Sequence, residues 1–510
     1  MAAFPQAISP YFRERSRQVI FLSDRAGFLI VANLIKYAVG FVMPMVLVRM
    51  LSQTDYGTYQ QLVLIGNAAL GVMVLGLPTS VYYFYHHVSA ERIPTLLTQT
   101  SLMLGMSGIV AAAAIFLSAA QIADALNNPP MVELLRIYAV SIMFMIASEH
   151  SIHFMIAQNR YRLAVGLEVA ETFLRVLVLL APLALGMGFT GLIVGIVFYA
   201  VVRFVVRGAY LYHGNGMKFA AWWKSAFPLE QLGYSLPLAL MSLTGLIAGT
   251  FNKGIVAAAF SPAEFAIYAV GVLEIPLDVI FQASVANVLR ASLPPLVRDG
   301  NLTEVVRVMR EAMRKLSIIV LPSFVFLLGH SEQFITLLFT TRYAESVHVF
   351  QIYVWLVPLH MLVLSPIPQI FGKPRINLYI VFSMAIVLVA LSYFLLKWIG
   401  FYGPALAMVI SAYLTVGLYF VVVLKLTRTT LLRLLPAAAM LMIVGASLVG
   451  LLAAQLTHGF TGSGLLDLTL SGAVFSVVFL AIAAVGGIFT AGDYQLMRRW
   501  ASKVLPIGKT

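Results

Sequence analysis

Runs of about twenty or more apolar residues recur from near residue 27 to residue 490, and they constrain this chain more than any motif does. A run of that length matches a helix crossing a hydrocarbon core of about 30 Å. Inside hydrocarbon, backbone N–H and C=O groups must pair with one another, so only helices and closed barrels can span it. Strand-like alternation is absent, which excludes the barrel and leaves an all-α integral membrane protein. With 61% apolar and 10% charged residues and a mean hydropathy of +0.94, the chain holds more apolar surface than a soluble core of 510 residues could bury.

Charge, Pro and Gly punctuation divides the runs into fourteen expected spans. Six fall at roughly 27–49, 60–83, 95–119, 132–157, 162–186 and 190–212. Six more fall at roughly 231–254, 264–290, 315–330, 346–371, 376–398 and 401–424, and two lie near 435–456 and 466–490. The expected organisation is a cytoplasmic N-terminal segment 1–25, an N-lobe 26–212, a linker 213–230, a C-lobe 231–424, a final helix pair 425–491 and a cytoplasmic tail 492–510. Within the C-lobe, Leu302, Val305, Val306, Met309, Ala312 and Met313 recur at helical spacing with Arg307, Arg310 and Arg314 between them. That pattern predicts an amphipathic cytoplasmic helix over 301–314.

Basic residues test the orientation, because they accumulate on the cytoplasmic side. With the N-terminus inside, 26 of the 33 Lys and Arg fall inside. Arg49, Arg136, Lys253, Arg342 and Lys397 fall outside, and Lys36 and Arg175 lie deep in spans. Both termini are therefore expected in the cytoplasm. The net charge of +13 follows from this asymmetry and suits an anionic inner leaflet, with no nucleic-acid partner required. The absence of cysteine removes disulfides, thiolate metal sites and cysteine nucleophiles.

Two sequence echoes organise the spans. Leu51-Ser52-Gln53-Thr54-Asp55-Tyr56-Gly57-Thr58-Tyr59 returns 209 residues later as Phe260-Ser261-Pro262-Ala263-Glu264-Phe265-Ala266-Ile267-Tyr268. Gly188-Phe189-Thr190-Gly191 returns after 212 residues as Gly400-Phe401-Tyr402-Gly403. Each first motif follows an apolar helix and starts another, so the expectation is two pseudo-symmetric six-helix bundles. An even number of spans separates the copies, which makes them parallel repeats.

An ionisable group deep in a span costs about 2.5–3.5 kcal/mol on insertion scales, so each should face protein or water. In span one, Lys36 shares a face with Asn33 and Gly40, and it needs a partner on another helix or a polar substrate. In span five, Glu168, Glu171 and Arg175 share one face at i, i+3 and i+7. Glu171 can pair with Arg175 within the helix as a structural ion pair. Alternatively, Arg175 holds an anionic headgroup while the glutamates keep it charged and oriented. In span eight, Glu274 and Asp278 lie one turn apart around Pro276, either as ion-coupling acids or neutralised by Lys36 or Arg175. Glu149, His150 and His153 have metal-like spacing but lack further ligands, so packing is the better reading and no metal or cofactor is expected.

Several motifs are similar to those of the polysaccharide transporter family, the Wzx-type oligosaccharide flippases of the multidrug/oligosaccharidyl-lipid/polysaccharide (MOP) superfamily. The repeated helix starts at Ser52 and Ser261 resemble that family's signature. So do Leu289-Arg290-Ala291-Ser292-Leu293-Pro294-Pro295-Leu296, Leu321-Pro322, Leu337-Leu338-Phe339 with Tyr343, and Phe371-Gly372-Lys373-Pro374-Arg375. Thr340 departs from the family, whose members often have glycine there. The resemblance implies a non-enzymatic flippase in a bacterial or archaeal cytoplasmic membrane, moving a polyprenyl-diphosphate-linked oligosaccharide by alternating access. It implies membrane lipids and a polysaccharide polymerase or export machinery as partners, and H+ or Na+ as candidate coupling ions. Lys36, Arg49, Arg175 and Lys253 would be the cavity cations that hold substrate. Glu168, Glu171, Glu274 and Asp278 would be the cavity or coupling carboxylates. The alternatives are a multidrug antiporter of the same superfamily, using Glu274 and Asp278, and a membrane glycosyltransferase or polymerase acting on lipid-linked sugars.

Overall fold

The computed structural model describes residues 33–215, 227–273, 275–457, 464–490 and 493–494. Every regular element among them is a helix. Nine helical stretches among the described residues are long and apolar enough to cross a membrane, which makes this a multi-pass, all-helical membrane protein. The chain forms two compact units that divide between Ala266 and Ile267. The expected N-terminal segment and most of the expected linker lie outside the described residues.

The first unit begins with α1 (Asn33–Met50). It continues through α2 (Gln53–Met73), α3 (Leu77–His87), α4 (Ile93–Leu117), α5 (Val132–Ala147), α6 (His150–Ala157), α7 (Tyr161–Ala184), α8 (Gly188–Asn215), α9 (Phe227–Leu246) and α10 (Asn252–Ala259). Helices α4, α5 and α8 pack in succession, and α7 lies along α8. A π-helical turn, Ile247–Phe251, joins α9 to α10. The helix after the expected linker thus belongs to the first compact unit. There Gly76, at φ +66°, lets the backbones meet, since a Cβ on it would lie 2.5 Å from the Ser235 carbonyl oxygen. Beside this contact, buried Gln231 donates to Ser80 Oγ at 2.9 Å and Thr100 Oγ1 at 3.0 Å, and accepts from Gln99 Nε2 at 2.7 Å. A buried amide costs little when its partners are present, so this network fixes α9 against α3 and α4.

Both copies of the first echo are helix N-caps. Ser52 Oγ accepts from the Asp55 N–H at 3.0 Å and donates to Asp55 Oδ2 at 2.7 Å. At α11 (Pro262–Gly271) the box is closed in both directions. There Ser261 Oγ accepts from the Glu264 N–H at 3.3 Å, and the Ser261 N–H donates to Glu264 Oε2 at 2.9 Å. The two helix starts also touch each other. A Cβ on Gly57 would stand 1.7 Å from the Pro262 carbonyl oxygen, so only glycine allows the backbones this close.

The second unit holds α12 (Pro276–Arg298), α13 (Leu302–Gly329), α14 (Ser331–Phe339), α15 (Ser346–Val354), α16 (Pro374–Ile399), α17 (Gly403–Thr427), α18 (Ala437–Gln455) and α19 (Gly464–Val485). The expected amphipathic helix over 301–314 is the first half of α13, which runs on without interruption as the next membrane helix. Asn301 caps it by accepting from the Glu304 N–H at 3.2 Å. The apolar stripe of Val305, Met309, Met313 and Leu316 does not lie on lipid as a surface anchor would. It packs against Leu289, Leu293, Val363 and Leu364 in the core of the unit. The turn Gly400–Tyr402 joins α16 to α17. It begins at φ +73° on Gly400 and ends on Gly403, whose Cβ would lie 2.3 Å from the Leu395 carbonyl oxygen.

Arg314 closes this unit. Its guanidinium donates to Glu311 Oε2 at 3.0 Å and Oε1 at 2.8 Å, to Asp493 Oδ2 at 2.7 Å and to the Ile488 carbonyl at 2.9 Å. Asp493 also accepts from the Thr490 N–H at 2.9 Å and hydroxyl at 2.8 Å. Burial pushes the Asp493 carboxyl up, but the Thr490 bonds and the Arg314 guanidinium outweigh it and hold the group below its ordinary value.

Candidate functional site

The first unit holds a cavity of about 410 Å³ whose wall carries Lys36, Glu168, Glu171, Arg175, Arg203 and Arg207. Helical periodicity brings one face of α1 to it, with Lys36, Gly40, Met43 and Leu47 on the wall. Helix α7 contributes Glu168, Glu171, Thr172 and Arg175, at the spacing that places them on one face. Helix α2 supplies Tyr59 and Gln60, and α8 supplies Tyr199, Arg203 and Arg207. The cavity therefore gathers Lys36, Glu168, Glu171 and Arg175 of the sequence-derived candidates.

The ion pairs around it among the described residues differ in kind. Arg207 is buried and grips Glu171 with two bonds, Nε to Oε1 at 2.7 Å and a terminal nitrogen to Oε2 at 2.6 Å, and gives a third to the Ser148 carbonyl at 3.1 Å. Such a fork-on-carboxylate pair is rigid and directional. Arg203 bonds Glu149 at 2.5 Å and stands 3.9 Å from Glu171. Lys36 meets Glu168 by one contact at 2.8 Å, with both side chains about a third exposed, 36% and 27%.

Arg175 is the exception. It is exposed on the cavity wall, and among the described residues no carboxylate stands within ion-pair distance of it. Its neighbours are tyrosines. Tyr59 is its hydrogen-bonding partner, and Tyr59, Tyr138 and Tyr199 line a small chamber of about 30 Å³ with it. Gly66 makes room for the Tyr138 ring, since a Cβ there would fall 2.5 Å from the phenol oxygen.

These contacts correct one reading of the sequence. The intrahelical Glu171–Arg175 pair is not formed, because Arg207 on α8 offers Glu171 a bidentate partner that one helix face cannot match. Arg203 and Arg207, which the basic-residue count places on the cytoplasmic side, are also wall residues of the cavity. Lys36 finds a partner on another helix, Glu168 of α7.

The remaining candidates are placed elsewhere or outside the description. Arg49 is exposed at the end of α1, where it donates to the Met45 carbonyl at 2.5 Å, and it does not line this cavity. Lys253 is half-buried on α10 and does not line it either. Glu274 lies outside the described residues, and Asp278 falls in α12 with its side chain outside the description. Of the histidine group, Glu149 is engaged by Arg203, and His150 is buried with Nε2 at 2.8 Å from Ser101 Oγ. Among the described residues no cluster of metal-ligating side chains forms.

A family profile described as "Polysaccharide biosynthesis protein" matches residues 46–348, more than half of the chain. The chain belongs to the polysaccharide biosynthesis protein family. No curated protein matches it. Among solved structures, the fold is similar to a lipid II flippase MurJ in an inward closed conformation, with a TM-score of 0.69 at 14% identity over 89% of this chain and 97% of that one. It is also similar to an inward-facing multidrug resistance MATE family transporter of the MOP superfamily, with a TM-score of 0.59 at 14% identity over 78% of this chain and 95% of that one. A MOP superfamily transporter from Pyrococcus furiosus aligns with a TM-score of 0.50 at 13% identity over 80% and 94%. This member of the polysaccharide biosynthesis family thus has the fold of MOP superfamily transporters and not that of an enzyme family.

Proposed function

We propose that the protein is a flippase that carries a polyprenyl-diphosphate-linked oligosaccharide, such as an O-antigen, capsule or exopolysaccharide repeat unit, across the cytoplasmic membrane. One observation carries this reading: Arg175 presents a guanidinium to the cavity with, among the described residues, no carboxylate at ion-pair distance, beside charges that are paired. The cavity wall holds four cations, Lys36, Arg175, Arg203 and Arg207, against the carboxylates Glu168 and Glu171, with Glu149 behind Arg203. A surplus guanidinium with planar donors suits a phosphate oxygen. Tyr59, Gln60, Thr172 and Tyr199 add hydroxyl and amide groups that suit sugar. The MurJ likeness supports a lipid-linked substrate of this class.

The fuller reading keeps the fourteen spans with both termini in the cytoplasm. Spans one to six and seven to twelve rock about a cavity, the last two helices are peripheral, and H+ or Na+ drives the cycle. The polymerase or export machinery for the glycan takes the product. The MATE likeness offers a cation antiporter as the other reading, but a net positive wall repels a cationic drug and disfavours it. The test is glycan export in cells that depend on this protein. Arg175→Glu and Lys36→Glu should each abolish export while membrane insertion stays normal; normal export by both removes the assignment.

A further inference from the structure

Two carboxylates of α7 face the same cavity, yet they are held differently. Glu171 is bound on both oxygens by Arg207 and is nearly buried. Glu168 makes one ion contact, at 2.8 Å to Lys36, and both partners reach the cavity. Arg175 stands two turns further along the same helix face, with no carboxylate at ion-pair distance among the described residues.

We propose that Glu168 is a resident counter-anion that the substrate's phosphate displaces from Lys36, so that the Lys36–Glu168 pair is an exchangeable charge lock on the cavity. This rests on the anion-carrying reading above and specifies how that site stays closed to weaker anions. An incoming diphosphate first meets the unopposed Arg175. Its second phosphoryl group then takes the ammonium of Lys36, and Glu168 is released to the water of the cavity. Lysine suits the exchange, because its ammonium is a compact point charge on a flexible stem and needs no fixed fork geometry. A single, partly exposed ion pair is worth little, so a divalent or polyvalent anion can replace it at small cost. A lone carboxylate ligand brings no more charge than Glu168 itself and gains nothing. The Arg207–Glu171 pair cannot take this role, since removing either partner would strand a buried charge. Charge selectivity in the cavity is therefore set by Glu168, with Glu171 as part of the frame.

The experiment is a calorimetric titration of the purified full-length chain with inorganic pyrophosphate, at fixed ionic strength, on wild type, Glu168→Gln, Lys36→Gln, the double variant and Arg175→Gln. The neutral amide no longer competes for Lys36, so Glu168→Gln should bind pyrophosphate about threefold to fivefold tighter, the scale of an exposed ion pair. Lys36→Gln and Arg175→Gln should bind more weakly. In the Lys36→Gln background, the added Glu168→Gln change should have little effect, because the competition it relieves is already gone. Weaker binding by Glu168→Gln would overturn the proposal and make Glu168 a support that orients Lys36. An equal gain in both backgrounds would also overturn it, reducing Glu168 to a general negative charge. In either case Arg175→Gln would still bind more weakly, and the anion-carrying reading would stand. If wild type binds no pyrophosphate, both the reading and this inference fall.

Discussion

The cavity network of the first unit and the Arg314 cluster of the second contain similar groups and end in opposite states. Around Arg314, Glu311, Asp493, the Thr490 hydroxyl and the Ile488 carbonyl take up the guanidinium's donors. In the first unit Arg207, Arg203 and Lys36 find carboxylates, but Arg175 faces the cavity beside tyrosines, with no carboxylate at ion-pair distance among the described residues. A closed network ties elements together. A network with one cation left over can take an anion from outside the protein, as we propose for Arg175. On that proposal, pairing is what separates structural charge from functional charge.

The largest effects should come from breaking each network at its arginine. Arg207→Ala takes from the nearly buried Glu171 its bidentate partner, leaving Arg203 at 3.9 Å, and should cost about 3 kcal/mol of stability, read as a large fall in the thermal unfolding temperature of the solubilised protein. Replacing both partners by methionine should restore most of that loss, because paired burial is close to neutral against apolar packing. Arg175→Gln should leave the unfolding temperature nearly unchanged and remove transport, the converse of Arg207→Ala. Equal destabilisation by the two variants would erase the comparison.

A smaller effect is expected in the second unit. Asp493→Asn should cost about 1–3 kcal/mol by weakening bonds to a charged partner, with export retained. Its pH dependence has a fixed sign. The folded carboxyl lies below its ordinary value, so its contribution is present above the unfolded pKa of about 3.9 and is lost as pH falls through the folded value. The wild type and Asp493→Asn should therefore differ in thermal stability at neutral pH and converge in acid. A gap that widened on acidification would contradict the contacts drawn around Asp493. The smallest effect belongs to the caps: Ser52→Ala should cost about 1 kcal/mol and leave export intact.

The candidate site was partly legible because an ionisable residue inside an apolar run is an anomaly that composition cannot explain away. Lys36, Glu168, Glu171 and Arg175 stood out for that reason, and all four line one cavity. Arg203 and Arg207 did not, since near a span end the positive-inside pattern already accounts for them. Their i, i+4 spacing opposite the glutamates of the preceding span was the available signal. Partner choice was illegible for a related reason. The i, i+4 rule proposes Arg175 for Glu171, but a cross-helix arginine with two aligned donors binds more strongly than a neighbour on the same face. Tyr59, Tyr138 and Tyr199 read as ordinary core aromatics until Arg175 is seen among them.

The same split holds for the fold. Apolar run lengths announced a multi-pass helical protein, and the echo of Ser52 at Ser261 marked two helix starts that are both capped by their own sequence. The contact of Gly57 with Pro262 joins positions far apart in the chain, and no local pattern encodes it. The charge-rich first half of α13 concealed its continuity with the span that follows, because exposed arginines alternate there with a stripe that packs into protein rather than lipid.

The central claim is that Arg175 holds the charged link of a lipid-bound glycan. Proteoliposomes containing wild type or Arg175→Gln would be given a polyprenyl-diphosphate oligosaccharide, or the same glycan on an uncharged polyprenol, and transfer between leaflets measured. The account predicts rapid transfer of the diphosphate form by wild type, its loss in Arg175→Gln, and slow transfer of the uncharged form by both. Transfer of the diphosphate form at equal rates by wild type and variant would contradict it.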